Sequence, residues 1–429
     1  MSAPWITLGL GIGAFLLVLH ALRPVRRPSP FQVFGLFASW ILIELPLHVL
    51  VLVVVEAWVC VNYGGLDAWP GWVGLGGFGA ALVGLVHLTH RSFQVAEHVE
   101  KALVEVPPPP AAKFPYRRAR LWIPTSHFQP AVKVELDVPY TDTGAKRHLL
   151  DVYRPHSISG PSPVILQLHG GGWMIGHKRQ QGRPLLTHLA ANGFVCVAAN
   201  YHLSPKATFP DHIIDVKRAI AWVRAHIADY GGNPDFIAVT GGSAGAHLAT
   251  LAALTPNVPD WQPGFEAADT RVQACVPLYG VYDFTNRDGS FPSRGVEHMF
   301  TRFIIKQNLA QARQLYASAS PLDRLTPHAP PFFVIHGAHD SLAPIEQCRT
   351  FVDALGTIST SRVSFLELPI AQHAFDVFPS IRVRSVLEGI RHFLLATYSV
   401  AGGEQRAGRQ LGPEEAGVGV NDQTDGNRL

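Results

Sequence analysis

Two things are scarce in this sequence: cysteine and charge. The 429 residues include only four cysteines, far apart and with no C-x-x-C pair. A disulfide framework and a zinc site are therefore not expected, and the cysteines are predicted to be buried free thiols. Charged residues make up only 16% of the chain, and the net charge is +3. No stretch interleaves basic and aromatic residues on the scale that nucleic-acid binding needs, so nucleic acid is not expected as a partner.

Hydrophobic residues, by contrast, reach 47%, and their excess lies before residue 95. Three apolar stretches, 5–22, 34–61 and 71–88, approach or exceed the roughly 20 residues that a bilayer-spanning helix needs. A cleaved signal peptide competes for the first stretch, but no basic residue precedes it and "RPVRRP" follows it. We therefore predict that residues 1–95 form a transmembrane helical region with about three spans.

The distribution of arginine predicts the orientation of these spans. Arg23, Arg26 and Arg27 lie between the first and second stretches, whereas the connection before the third carries no basic residue. Short loops rich in lysine and arginine stay in the cytoplasm. With three spans, the N-terminus is then outside and the chain after residue 91 is cytoplasmic. A kinked or re-entrant second stretch would make the number of spans even and would move the later part outside.

The second apolar stretch contains two polar residues that need a partner. Glu44 and His48 are four residues apart, so they share one helical face, with Pro46 between them. A charge in mid-membrane is costly, and such residues are often functional. One interpretation is an intramembrane polar site. The other is a pair that is satisfied internally or by His20, next to a proline kink.

The chain beyond this region begins and ends with low-complexity segments. Residues 96–130 contain "VPPPP" and then basic and aromatic residues, which predicts a stiff, proline-rich basic linker. Its aromatic residues and arginines are expected either to rest on lipid headgroups or to be solvated. Residues 399–429 have almost no large apolar side chain and are predicted to be disordered.

Between these segments, residues 131–398 alternate short β-branched runs with helical ones. This pattern is typical of an α/β fold with a mostly parallel sheet flanked by helices. The clearest helix is predicted from Pro210 to Tyr230 and ends at a glycine. The eight predicted strands are 132–138, 148–154, 163–169, 194–200, 236–241, 272–279, 332–337 and 363–369.

One turn in this domain has the pattern of a nucleophile elbow. Ser243 lies in "GGSAGAHL", directly after the strand "FIAVTG" and before a helical run. A strand, a tight turn and a helix are the context that G-x-S-x-G requires. Gly241 and Gly245 leave room for a strained turn that exposes the serine. The positive end of the following helix favours developing negative charge.

A second glycine-rich loop follows an earlier strand. "HGGGW" contains His169, Gly170, Gly171 and Gly172, whose backbone can direct N–H groups inward. Together with the N–H of Ala244, the amides of Gly171 and Gly172 would form an oxyanion hole. The competing interpretation is a phosphate-binding loop, but the Lys-Ser/Thr ending of a nucleotide-binding loop is missing.

An acid and a base follow in the order that this chemistry needs. Asp340 in "GAHD" comes just after one strand, and His373 in "QHAF" comes just after the next. Polar residues at such positions lie on the edge of the sheet where α/β proteins bind ligands. The order nucleophile, acid, base is typical of this architecture. His336 and His339 compete for the role of base, and Asp376 competes for the role of acid.

These four motifs in this order resemble the α/β-hydrolase superfamily, on its esterase and lipase branch. The "HGGG" loop is similar to that of the hormone-sensitive-lipase group. That group usually has an acidic residue before the serine and a second glycine after the motif, where this chain has Gly242 and Ala246. "GGSAGAHL" is nearer to feruloyl-esterase-like and arylformamidase-like members. With its polytopic N-terminus, the chain also resembles the membrane-anchored carboxylesterases of mycobacteria.

The resemblance implies a membrane-anchored serine carboxylic-ester hydrolase of the bacterial plasma membrane, with its catalytic domain in the cytoplasm. It would act on a small-molecule or lipid ester through an acyl-enzyme, without a metal or organic cofactor. The insertion at 284–325 is expected either to line an acyl pocket as a lid or to pack as ordinary helices. An amidase or arylformamidase with the same triad and a catalytically silent membrane scaffold are the alternatives. The sequence does not predict an oligomeric state.

Overall fold

The computed structural model describes residues 2–24, 32–110, 123, 129–158, 160–291 and 294–410. The strands are β1 (Val132–Pro139), β2 (Leu149–Pro155), β3 (Ser162–Leu168), β4 (Val195–Ala199), β5 (Gly232–Gly242), β6 (Ala274–Leu278), β7 (Phe332–Gly337) and β8 (Val363–Leu368). The helices are α1 (Ala3–Leu22), α2 (Gln32–Glu44), α3 (Pro46–Asn62), α4 (Trp69–Phe93), α5 (Val95–Ala102), α6 (Arg183–Ala191), α7 (Asp211–His226), α8 (Ala244–Leu254), α9 (Arg294–Met299), α10 (Arg313–Ala319), α11 (Ile345–Ile358) and α12 (Ile381–Gln410).

All eight predicted strands are present, and they form one sheet in the order β1-β2-β4-β3-β5-β6-β7-β8. Strands β3 to β8 pair in parallel, while β2 is antiparallel to both of its neighbours. Every residue of β3, β4, β6 and β7 is buried, as expected for strands covered by helices on both faces. The predicted α/β class is therefore correct. We refer to β1–β8 with α5–α12 as the α/β domain.

Parallel pairing brings the ends of the central strands to one edge of the sheet. Leu168 at the end of β3 pairs with Gly241 near the end of β5, and Gly337 of β7 pairs with Leu368 of β8. The loops that follow these four strands are the ones that carry the sequence motifs. They therefore emerge side by side at the carboxyl edge, where open α/β sheets bind ligands.

The cysteines and the long helix of the α/β domain agree with the sequence. All four cysteines are free thiols; Cys196, Cys275 and Cys348 are buried and Cys60 is half-buried. The helix predicted to end at Tyr230 is α7 followed by one 3₁₀ turn, Ile227–Tyr230, which stops at Gly231 in the left-handed conformation. A glycine at this position is the usual way to end a helix.

Helices α1 and α4 contain the first and third predicted spans, and each is long and apolar enough to cross a membrane. The two helices pack closely because small residues meet at their interface. A side chain on Gly11 would overlap the backbone of Gly74, and one on Gly77 would lie 2.6 Å from the backbone of Gly11. Small residues allow this close backbone approach, as in many pairs of membrane helices.

The second apolar stretch is not one straight span. It breaks at Leu45, and the axes of α2 and α3 differ by 100°. Pro46 is the first residue of α3 and cannot donate a backbone hydrogen bond, and it disfavours helical geometry at the residue before it. Leu45 accordingly has φ −121° and ψ 44°. Helix α3 then packs against α4, while α2 packs on α1 and also contacts the α/β domain.

The domain boundaries differ from the sequence prediction at both ends. The proposed linker at 96–130 starts with α5, whose buried residues Val95 and Val99 belong to the core between the sheet and α12. The basic and aromatic part, 111–122, lies outside the described residues. The predicted disordered tail at 399–429 starts inside α12, which continues to Gln410, and residues 411–429 lie outside the described chain. Amphipathic packing thus extends past both predicted boundaries.

Candidate active site

Ser243 lies at a strained turn between β5 and α8. Its φ of 55° and ψ of −119° are unusual for a residue with a side chain. The serine amide donates a hydrogen bond to the Leu278 carbonyl at 3.0 Å. A side chain on Gly241 would lie 2.7 Å from the Leu168 carbonyl, and one on Gly245 would overlap the same oxygen. The two glycines of the motif are therefore required by close backbone approach, and the turn holds the serine above the sheet.

His373 and Asp340, which are 33 residues apart in sequence, meet at this edge of the sheet. Nδ1 of His373 donates to Oδ2 of Asp340 at 2.7 Å. The other carboxylate oxygen accepts the amides of Leu342 and Ala343 at 2.9 and 2.8 Å. Burial alone would raise the pKa of Asp340, but the charge of His373 and the hydrogen bonds of His336 and His373 hold it well below its usual range. Asp340 is thus an ionised acceptor that orients the imidazole.

The competing acid and base have other partners. The Tyr279 hydroxyl donates to Oδ1 of Asp376, so this carboxyl group is turned away from the imidazole of His373. Burial raises the pKa of Asp376, and the hydrogen bond from Tyr279 offsets this only in part. Nε2 of His336 lies 2.9 Å from the Ala343 carbonyl, deep in the core. Nε2 of His336 also lies 3.4 Å from Oδ2 of Asp340, but His373 is the histidine of the two that lines the cavity of Ser243.

The glycine-rich loop after β3 approaches the serine. Gly171 and Gly172 have φ of 111° and 59°, values that glycine adopts without strain. Both glycines line the same cavity as Ser243 and His373. Ala244 is buried at the N-terminus of α8, where backbone N–H groups and the helix dipole favour negative charge. Gly171 and Gly172 thus share the cavity with the serine and Ala244 follows the serine in sequence, and their role as an oxyanion hole stays a prediction.

The rest of this loop is held by buried polar contacts. The Gly170 amide donates to Oε1 of Gln181 at 2.7 Å, and a side chain at Gly170 would lie 2.7 Å from the Gly242 carbonyl. The ring of His169 stacks on Tyr201 at 4.4 Å. Burial lowers the pKa of His169 to about 4, so this histidine stays neutral and does not compete as a base. Gly170 and His169 therefore support the shape of the glycine-rich loop.

A hydrogen bond that sequence reasoning missed joins the two glycine-rich motifs. Nε1 of Trp173 donates to Nδ1 of His247 at 3.2 Å, and Nε2 of His247 lies 2.7 Å from the Ala319 carbonyl. Burial lowers the pKa of His247 to about 3, so the ring remains neutral. Trp173 ends the motif "HGGGW" and His247 lies in "GGSAGAHL". Their places in these motifs were the only sequence feature that pointed to a role. The contact fixes the glycine loop relative to the serine turn.

Ser243 opens into a cavity of about 450 Å³ with mostly apolar walls. The predicted insertion at 284–325 contributes to it, since Met299 and Phe300 line the cavity while Ile304 and Ile305 pack in the core. This segment thus both lines the cavity and packs as ordinary helices in the core. Phe37 and Trp40 of α2 form a further part of the wall.

Helix α2 is bound to the loop that carries His373. Nε1 of Trp40 donates to the carbonyl of Ala374 at 3.0 Å. Oγ of Ser380 donates to Oε2 of Glu44 at 2.8 Å, and Nε of the fully buried Arg382 lies 3.3 Å from Oε1. The partners of Glu44 thus include two residues of the α/β domain, which the sequence interpretations of this residue did not consider.

One further cluster has residue types that metals bind. His148, His202 and Asp215 have ligand atoms within 4.8 Å of one another. These atoms already bond one another: His148 Nε2 and His202 Nδ1 lie 3.0 and 2.8 Å from the two Asp215 oxygens. The remaining ring nitrogen of His148 lies 2.8 Å from the Thr141 hydroxyl. Internal hydrogen bonds therefore account for the cluster, which ties the start of β2 to α7.

Gly242 provides a test of the packing behind the serine. A side chain at this position would overlap the hydroxyl of Tyr279, whose ring contacts that of His373 at 4.7 Å. We expect Gly242→Ala to destabilise the protein by about 1–3 kcal/mol, because the core cannot accept the methyl group, and to lower activity. Thermal unfolding should show this loss. Gly356→Ala is the matched control, because Gly356 lies on α11 with open space around it, and this variant should not destabilise the protein. Equal stability of the two variants would contradict the close packing of Tyr279 against Gly242.

A parallel sheet of this order, with a strained serine elbow and an aspartate–histidine pair at its carboxyl edge, defines an α/β-hydrolase. Comparisons with known proteins agree. Residues 150–355 match the BD-FAE family model. The chain is 50% identical over 283 residues to the probable carboxylic ester hydrolase LipM of Mycobacterium tuberculosis, covering 65% of this chain and 64% of LipM. It is 44% identical over 301 residues to esterase LipQ of the same organism, covering 70% of this chain and 68% of LipQ.

The chain belongs to the α/β-hydrolase superfamily, in the esterase family that contains LipM and LipQ. Its match spans just under two thirds of the length of LipM, at 64%. The fold is also similar to that of esterase B from Lactobacillus rhamnosis, with a TM-score of 0.55 and 18% identity over 76% of this chain and 99% of that chain. At this identity the similarity concerns the fold alone.

Proposed function

We propose that this protein is a membrane-anchored serine hydrolase of carboxylic esters, with Ser243 as nucleophile, His373 as base and Asp340 as the residue that orients the base. The observation that carries the proposal is that Ser243 and His373 line one apolar cavity while Asp340 bonds the imidazole of His373. A serine hydroxyl is a weak nucleophile and needs such a base. The esterase names of LipM and LipQ support the same reaction class.

The reaction follows from the positions of these groups. Oγ of Ser243 attacks the ester carbonyl carbon while Nε2 of His373 takes the hydroxyl proton, and Nδ1–H remains bonded to Asp340. The amides of Gly171, Gly172 and Ala244 stabilise the oxyanion. The imidazolium then gives its proton to the leaving alcohol, which leaves an acyl-enzyme. The same histidine next removes a proton from water, and the water oxygen attacks the acyl carbon. The bond from the acyl carbon to Oγ of Ser243 then breaks as the imidazolium returns its proton to Oγ, which releases the acid and the free enzyme.

The N-terminal helices supply the proposed membrane anchor. We propose that α1, α3 and α4 span the bilayer and that α2 lies at the level where the bundle meets the α/β domain. On this proposal three spans are retained, with α3 as the second crossing, and the 100° bend between α2 and α3 is compatible with an α2 that lies outside the bilayer core. By the distribution of arginine, the α/β domain is then cytoplasmic. The apolar surfaces of α1, α3 and α4 support this assignment.

Matched ester and amide substrates test the proposed reaction. We expect the full-length protein in detergent micelles to hydrolyse p-nitrophenyl butyrate, and to cleave p-nitrobutyranilide more slowly. EDTA should leave the ester rate unchanged, because a histidine and not a metal activates the serine. A preference for the anilide would instead indicate an amidase. Failure of a fluorophosphonate probe to label the protein, together with absence of turnover, would favour a silent scaffold.

A further inference from the structure

The substrate cavity is built from two parts of the chain that the sequence analysis assigned to separate domains. Phe37 and Trp40 of α2 line it together with Met299 and Phe300 of the insertion and with Ser243 itself. Helix α2 belongs to the apolar N-terminal region. An N-terminal helix is therefore part of the pocket wall and does more than anchor the domain.

The cavity also has an apolar rim. Phe37, Ile175 and Leu342 all line it, and their exposed fractions are 54%, 70% and 42%. Among the exposed large hydrophobic side chains from β1 to α12 that the structure describes, Ile175 has the largest exposed fraction. Clustered apolar side chains around a pocket mouth indicate a surface that meets an apolar partner. Helix α2, which borders this mouth, directly precedes the proposed membrane span α3. A lipid bilayer is therefore the apolar partner that fits this surface.

Two contacts place the mouth next to the helical bundle. Ile370, in the loop before His373, packs against the core formed by α1, α2, α3 and α4. The bond from Trp40 to the Ala374 carbonyl and the pairing of Glu44 with Arg382 hold α2 on that same loop. Helix α3 begins directly after α2, so the cavity opens where the proposed spans leave the membrane.

We propose that the substrates are lipid esters with a long unbranched acyl chain that are dissolved in the bilayer, and that Phe37 and Trp40 are specificity-determining residues for that chain. The inference rests on the proposed ester hydrolysis and adds its substrate class. The carbonyl group reaches Ser243 while the acyl chain lies along α2 and the insertion. The apolar rim lets the chain pass from the lipid into the cavity without exposing its methylene groups to water, which would be unfavourable.

The test measures chain-length selectivity with the full-length protein in phosphatidylcholine vesicles. Wild type should have a higher kcat/KM for p-nitrophenyl palmitate than for p-nitrophenyl butyrate. Phe37→Ala should lower the palmitate-to-butyrate ratio by about tenfold, because wall contacts with methylene groups are lost. Phe37→Trp, which fills the cavity, should shift the preferred chain to a shorter length. Phe37 is half exposed, so neither change threatens the fold.

Trp58→Ala is the matched control. Trp58 is an aromatic residue of α3 with 64% exposure that lies away from the cavity lining, so this variant should keep the wild-type ratio. An unchanged ratio in Phe37→Ala, an equal loss in Trp58→Ala, or a preference of wild type for butyrate would overturn the inference while serine-dependent ester hydrolysis remained. Absence of hydrolysis of both esters would instead overturn the proposed function.

Discussion

Ser243→Ala is expected to lower kcat for ester hydrolysis by about 10⁴- to 10⁶-fold. Without the serine hydroxyl no acyl-enzyme can form, and His373 has no nucleophile to deprotonate. The substitution removes one oxygen atom from a half-buried side chain that faces the cavity, so the fold should survive. Steady-state rates with p-nitrophenyl butyrate measure the effect.

Asp340→Asn should give a loss of about 10⁴-fold for a different reason, since the amide leaves the imidazole in the wrong tautomer.

Two controls separate chemistry from folding. Ser399→Ala removes an exposed hydroxyl on α12 and should keep the wild-type rate. Thermal unfolding of Ser243→Ala should match that of wild type. Turnover by Ser243→Ala at a rate close to that of wild type would rule out this serine as the nucleophile, whatever the geometry of the site.

Glu44→Ala is expected to destabilise the protein by about 3–5 kcal/mol, because it leaves a buried arginine without its counter-charge. Arg382 is only 1% exposed, and it also donates to the Pro369 carbonyl at 2.5 Å in the loop before the catalytic histidine. Loss of Glu44 should therefore also loosen α2 from that loop and lower activity. The rate of thermal inactivation in micelles measures the first effect, and kcat at low temperature measures the second.

The double variant Glu44→Leu/Arg382→Leu distinguishes a charge effect from a packing effect. Replacing both members of a buried ion pair by apolar residues is often neutral or stabilising, so much of the stability should return. Glu105→Ala is the matched control, since Glu105 pairs with Arg362 on the surface and such pairs contribute at most about 1 kcal/mol. Equal stability of Glu44→Ala and Glu105→Ala would contradict the proposed attachment of α2.

Much of the α/β domain could be predicted because its signals are local. Each strand is a short apolar run between turn residues, and the serine turn is a contiguous motif, although its two glycines also face the Leu168 carbonyl of the neighbouring strand β3. The positions of Asp340 and His373 needed one further rule, that loops after parallel strands share an edge. These parts of the structure depend on chain order more than on side-chain packing.

Other parts depend on contacts between distant segments, which no local pattern shows. Tyr279 fills the space beside Gly242 and bonds Asp376, and these residues are separated by up to 134 positions in a chain of 429. The whole stretch 34–61 was predicted as a span, with a kinked or re-entrant hairpin as the alternative, because hydropathy does not show that part of it packs on the α/β domain. In the sequence, Glu44 indicated that α2 has polar neighbours. Its partner Arg382 could not be identified, because it lies more than 300 residues later.

The most direct measurement is peptide mass spectrometry of the full-length protein after reaction with a fluorophosphonate ester. The proposed mechanism predicts a single phosphonyl adduct on the peptide that contains Ser243, formed in proportion to the loss of esterase activity. His373→Ala should slow its formation strongly, because the serine then lacks its base. Complete inactivation with the adduct on another residue, or full activity after complete modification of Ser243, would contradict the assignment of this serine as the nucleophile.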